Sequence, residues 1–227
     1  MGAGMALSGR NVRRAALLVS AAGVLALAGC GNSPNGNRLA GAFATAAANV
    51  AAGQRAPSRV TTPEAEQRAF PTPLLKLTRE ATGDEALVGA GGRNGDDVTW
   101  YSADRRAITL RDGLLAGTSG FGFDLMSADL PAVRAGGGGL RRVHYYLGGD
   151  ERTRPLRFDC TVSDLGGQSI AVAGRTYATR ALRETCAGDG GLSFVNSYWV
   201  EPGGTIRRSR QWAGPELGYF GIDKVNG

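Results

Sequence analysis

The side chains able to do chemistry are few, and their spacing restricts what they can do. The 227-residue chain has a single histidine, His144. A Ser- or Cys-based triad would have to use it, yet no Gly-x-Ser-x-Gly elbow accompanies it. It falls on the polar side of an alternating stretch, where a solvated or cross-strand-paired imidazole is expected. A zinc site needs three or four ligands, which one histidine and a few cysteines do not supply. Asn94-Gly95-Asp96-Asp97 has oxygen donors for calcium but reads first as a turn. A glycosidase needs two carboxylates about 5–10 Å apart. Asp104, Asp124, Asp159 and Glu201 are available, but nothing in the sequence pairs them. No catalytic residue, cofactor or metal is assigned.

The aromatics offer more. Trp100-Tyr101, Tyr198-Trp199 and Trp212 lie near Arg207, Arg208 and Gln211. Such rings stack on the apolar face of a sugar, while arginine grips an acidic sugar bidentately. These eight residues are the candidate contacts for a glycan or a partner protein. The competing expectation is that adjacent aromatics on a strand split, one into the core and one outward.

The three cysteines divide two ways. Arg10, Arg13 and Arg14 precede an apolar run from Ala15 to Ala28, ending in Leu27-Ala28-Gly29-Cys30. The run is about 14 residues, against the ~20 of a membrane span. A basic start, a short apolar segment and small residues at its end read as a secretory signal. Leu-Ala-Gly-Cys resembles the lipobox of bacterial lipoprotein precursors. That resemblance implies cleavage before Cys30 and acylation of its thiol by palmitate-class chains. The product would be an envelope protein held by a lipid anchor. Gly31 in place of aspartate favours the outer membrane, with the protein facing the periplasm. Cys160 and Cys186 remain, and in an oxidising compartment a disulfide between them is expected.

The signal arginines account for half of the formal charge of +6. No basic run is interleaved with aromatics, so a nucleic-acid partner is excluded. The boundaries read from the sequence are a signal peptide over 1–29, a polar tether over 30–38, a helical and proline-rich lead-in over 39–73, and one β-rich domain over 74–227. An alanine-rich helix is expected over 39–53. A short helix is expected after Thr62, with Pro63 at its first position. From Leu74 the pattern turns to strands. Asp112-Gly113 between two β-prone runs is a hairpin signal. Ala135–Gly139 reads as a flexible loop, and Gly166-Gly167 as a turn.

Two stretches alternate clearly. In Arg141–Leu147 the apolar set is Val143, Tyr145 and Leu147, opposite Arg142, His144 and Tyr146. In Leu156–Val162 it is Leu156, Phe158, Cys160 and Val162. Period two with one polar face predicts antiparallel sheet. The expected fold is mainly β: a barrel-like or sandwich domain of about ten strands with one or two short N-terminal helices. Arginines on both faces argue against a transmembrane barrel.

The order Trp100–Asp104, Ile108–Gly113, Gly120–Leu125, Phe194–Val200 and Ser209–Pro215, together with Cys30 and Cys186, resembles the YjbF/GfcB family of group 4 capsule polysaccharide lipoproteins. The resemblance implies a mostly β fold. It also implies a non-enzymatic role in exopolysaccharide or capsule assembly or export, with the polysaccharide or an export-machinery protein as partner. Two other classes remain open: a glycan-modifying enzyme with paired carboxylates, and an inert envelope scaffold.

Overall fold

Nearly every strand pairs with its neighbour in sequence, so hairpin turns fix most of the architecture. The computed structural model describes residues 56–227. The signal segment, Cys30, the tether and the expected helix over 39–53 lie outside the described residues. Helix α1 (Glu64–Ala69) is followed by twelve strands: β1 (Leu74–Arg79), β2 (Asp84–Asn94), β3 (Asp97–Ser102), β4 (Ala107–Arg111), β5 (Leu114–Ser119), β6 (Leu125–Asp129), β7 (Gly137–Leu147), β8 (Thr153–Val172), β9 (Arg175–Gly188), β10 (Ser193–Val200), β11 (Ile206–Gly214) and β12 (Gly218–Lys224). Pro63 caps α1 from one position before its first helical residue.

The sheet order is β5-β4-β3-β2-β1-β12-β11-β10-β9-β8-β7-β6, antiparallel throughout. Among the described residues, the β1–β12 pair alone joins strands distant in sequence. The two edge strands, β5 and β6, lie side by side, giving a nearly closed meander barrel. Closure disposes of the exposed edges that an open sheet would carry. Gly117 lies against the seam, where a Cβ would just touch the Leu125 and Met126 carbonyl oxygens at 3.4 Å. Thr118 stitches the seam: its hydroxyl accepts from the Leu125 N–H at 2.9 Å and donates to Asp124 at 2.7 Å.

The turns follow their residue types. Asp112 and Gly113 take φ of 52° and 84°, the left-handed pair that a two-residue hairpin requires. Three local expectations are corrected. The Ala135–Gly139 stretch is not simply a loop, since β7 starts at Gly137, which pairs with Val162. Backbone pairing to a long neighbour needs no side chain, so context overrides glycine's poor strand propensity. Gly166-Gly167 is not a turn either; β8 runs through it with a register shift between Asp164 and Gly167. The turn falls instead at Ala173-Gly174.

The third correction concerns β7. Arg142 sits directly opposite Phe158, and His144 opposite Leu156. Opposed residues share a face, and Phe158 and Cys160 point into the barrel. Arg142 and His144 are therefore buried, not solvated, and Val143, Tyr145 and Leu147 turn outward. The neighbour's register settled the face, not the strand's own alternation.

The interior is filled. Leu77, Val88, Ile108, Leu115, Leu125 and Phe220 pack one region. Phe158, Phe194 and Trp212 pack another around the disulfide. Cys160 and Cys186 face each other across β8 and β9 with an S–S distance of 2.01 Å. The bond closes a span of 26 residues. The chain-entropy account gives about 3–4 kcal/mol for such a loop. The Cys160→Ala/Cys186→Ala double variant is expected to lose about that much in urea unfolding. A loss below about 1 kcal/mol would show that the bond adds little to the barrel's own packing.

Candidate functional site

Strand alternation, interrupted by irregularities at both ends of β11, divides the eight aromatic, arginine and glutamine candidates between the inside and outside of the barrel. Tyr198, Gln211 and Trp212 point inward and are buried. Tyr198 belongs to a hydrogen-bonded group with Arg142, Glu184 and Asn196. Gln211 spans the interior, accepting from the Leu115 N–H and donating to the Gly113 carbonyl, both at 2.8 Å. The Trp212 ring stacks on Phe194 with centroids 4.6 Å apart. A polymer at the surface does not reach these three.

Arg207 is also buried. Its guanidinium binds Glu201 at 2.7 Å and lies 4.3 Å from the Tyr177 ring. Trp199 and Arg208 face outward but are engaged by the β8–β9 arm. The Trp199 indole donates to Gln168 at 2.6 Å. Arg208 holds Asp223 bidentately and donates to the Ala171 carbonyl. Trp100 points inward beneath one end of the barrel. Tyr101, its neighbour in sequence, points out and leaves 49% of its surface exposed.

Around Tyr101 the outer face of β3–β6 forms a groove of about 330 Å³. Its rows follow from the register. Thr99 stands beside Thr109, which stands beside Gly117; Tyr101 stands beside Ala107, which stands beside Ser119. Gly117 and Ala107 keep the floor low. Thr99 and Thr109 are linked through their hydroxyls at 3.1 Å. At one end Arg111 grips Asp97 through two 2.8 Å hydrogen bonds, which raise the arginine's pKa. Arg105 and Met126 complete the walls. The Tyr101 ring lies over Gly91, where an added Cβ would stand 2.5 Å from the ring. Glycine thus lets the ring lie down against the sheet.

Such a groove can stack one face of a flat polar ring and hydrogen-bond its hydroxyls. It does not have the arrangement of a carboxylate-pair hydrolase. Asp104 bonds Ser102 and Arg106, and those contacts lower its pKa against a smaller effect of burial. Asp124 caps the Gly120 and Phe121 N–H groups. Asp159 meets Arg141, and Glu201 meets Arg207. Each of the four carboxylates is committed to a separate partner. Sequence reasoning missed Thr99, Arg105, Thr109, Met126 and Ser127 as groove residues. The alternation Thr99/Tyr101 and Thr109/Arg111 was the available signal, once β3 and β4 are paired.

The fold defines a class: a small antiparallel meander barrel filled with side chains. More narrowly, the chain belongs to the YjbF family, the group 4 capsule polysaccharide lipoproteins related to GfcB, whose family model matches residues 40–225. That membership associates it with the cell envelope and with capsule polysaccharide. Among solved structures, the hypothetical lipoprotein YmcC from Escherichia coli K12 shares the fold. Its TM-score is 0.65 at 20% identity, covering 73% of this chain and 89% of that one. No curated protein matches the chain. Among the described residues, no helix is long and apolar enough to cross a membrane.

Proposed function

We propose that the protein is a lipid-anchored, non-enzymatic component of exopolysaccharide or capsule assembly or export that holds the polymer along the groove beside Tyr101. Acyl chains on Cys30 would fix it to the outer membrane on its periplasmic side, with 30–38 as the spacer between membrane and barrel. The observation that carries the reading is the Tyr101 ring, backed by Gly91, half exposed and flanked by the hydroxyl rows. Family membership supplies the association with capsule polysaccharide.

The test uses the capsular polymer purified from producing cells and the immobilised protein. Tyr101→Ala is expected to weaken retention about three- to tenfold, the worth of one aromatic contact, without changing the unfolding midpoint. Unchanged retention removes the groove from the account. Shortening of the polymer during incubation would favour a glycan-modifying enzyme instead. A second reading, docking of an export-machinery protein, is favoured by Phe123 and Met126, which are 70% and 53% exposed beside the β5–β6 seam.

A further inference from the structure

A second cavity opens at the barrel end where the β2–β3, β4–β5 and β10–β11 turns converge, and it has a different chemistry from the groove. It measures about 480 Å³, within the roughly 300–1,000 Å³ typical of small-molecule sites. Strand register builds it. Lys224 is paired with Leu75, and Arg93 with Val98, itself paired with Leu110. Opposed residues share a face, so both cations stand on the interior side above an apolar floor.

Trp100 lies in that floor. Only 8% of it is exposed, and its indole N–H is buried with no hydrogen-bond partner among the described residues. A buried unused donor is uncommon in native folds and calls for an explanation. Lys224 is half-buried, and its ammonium pairs with no carboxylate among the described residues. Glu201 is held by Arg207 at 2.7 Å and Asp223 by Arg208 at 2.5 Å. Arg93 likewise forms no ion pair among the described residues. Arg134 reaches the cavity from the other side and leans on Asp112, whose carboxylate is 4.0 Å away. Burial first and the nearby Arg207 second lower the Lys224 pKa, and the attraction of Glu201, which Arg207 already holds, offsets them only in part.

We infer that this mouth binds a carboxylate-bearing sugar above the apolar floor that Trp100 helps to close, with Lys224 and Arg93 holding its carboxylate. The assignment of a sugar rests on the polymer reading above. Geometry joins the two sites: the members of the Asp97–Arg111 pair that ends the outer groove are the chain neighbours of Asp96 and Asp112 in the mouth. An acidic unit at the end or on a branch of a groove-bound polymer would reach it. The mouth's own carboxylates, Asp96 and Asp112, oppose such a ligand and set a sign for the test.

Calorimetric titration of the full barrel chain tests this with a glucuronic acid-containing disaccharide, its neutral glucose counterpart and inorganic phosphate. The acidic disaccharide is expected to bind at least about tenfold tighter than the neutral one, the scale of one hydrogen bond to a charged group. The preference should shrink with added salt. Lys224→Gln should cost the acidic ligand about tenfold and the neutral one nothing, while Asp96→Asn should tighten the acidic ligand a few-fold. An unchanged unfolding midpoint excludes misfolding as the cause. Equal affinity for the two disaccharides, equal affinity for phosphate and the acidic disaccharide, or indifference to Lys224→Gln overturns the inference. Polymer retention that is lost in Tyr101→Ala but intact in Lys224→Gln leaves the groove standing and removes only the mouth.

Discussion

Arg142→Ala is expected to destabilise the barrel by about 3–5 kcal/mol, the cost of stranding a buried charge. Arg142 and Glu184 have 1% and 0% of their side chains exposed, and the guanidinium meets the carboxylate at 2.9 and 3.2 Å. Glu184 also accepts from the Tyr198 hydroxyl at 2.6 Å and from the Asn196 amide at 2.8 Å. The other end of the Asn196 amide accepts the Trp212 N–H at 2.8 Å, bridging β10 to β11 where their backbones stop pairing. Removing the guanidinium leaves an anion in an interior that cannot solvate it, and its two neutral donors do not replace the lost charge. The Arg142→Met/Glu184→Leu double variant removes both charges and should recover most of the loss. Urea unfolding of the single and double variants checks this; a single variant within about 1 kcal/mol of the parent would overturn it.

The same pair accounts for a register that β7 alone does not declare. Val143, Tyr145 and Leu147 form the more apolar of its two faces, yet they lie outside. A one-residue slip would bring them in and put Arg142 in water. Ion-pairing of Arg142 to Glu184 on β9, with Phe158 opposite it on β8, holds the observed alternative. Buried polar groups that fix register are an attested use of such pairs. Hence β8 was legible from its own alternation and β7 was not: the deciding information sat two strands away. The disulfide was legible from cysteine parity and compartment, and the Asp112-Gly113 hairpin from turn chemistry. Barrel closure was not, because it runs through side-chain links such as Thr118 to Leu125 across a seam without ladder pairing. The candidate contacts are divided between the inside and outside of the barrel for a related reason. Neighbours in sequence such as Trp100 and Tyr101 are on opposite sides of a strand, and each lines a different cavity.

Acidification from pH 6.5 to 4.5 is expected to cost about 2 kcal/mol of stability through His144 alone. The imidazole is fully buried, its centroid 5.6 Å from Trp212, 5.9 Å from Phe194 and 5.7 Å from Phe158. The Tyr146 hydroxyl donates to the Ala213 carbonyl at 2.9 Å, so it accepts from His144 Nδ1–H at 3.1 Å. Nε2 has no partner among the described residues. Burial first, and the nearby Arg142 cation second, push the imidazole's pKa from 6.5 down to about 3. Below pH 6.5 the unfolded chain takes up a proton that the folded chain refuses. Stability is therefore full above that pH and falls with acid at about 1.4 kcal/mol per pH unit until the folded-state value is reached. Carboxylates with lowered pKa, such as Glu85 and Asp104, act below about 4.5, so the window above it isolates the histidine. The chain has no other histidine. His144→Phe keeps a ring in the stack and leaves the Tyr146–Ala213 bond in place, so it should fold at neutral pH and flatten the slope between pH 6.5 and 4.5. An equally steep slope in that variant would place the acid sensitivity elsewhere in the barrel.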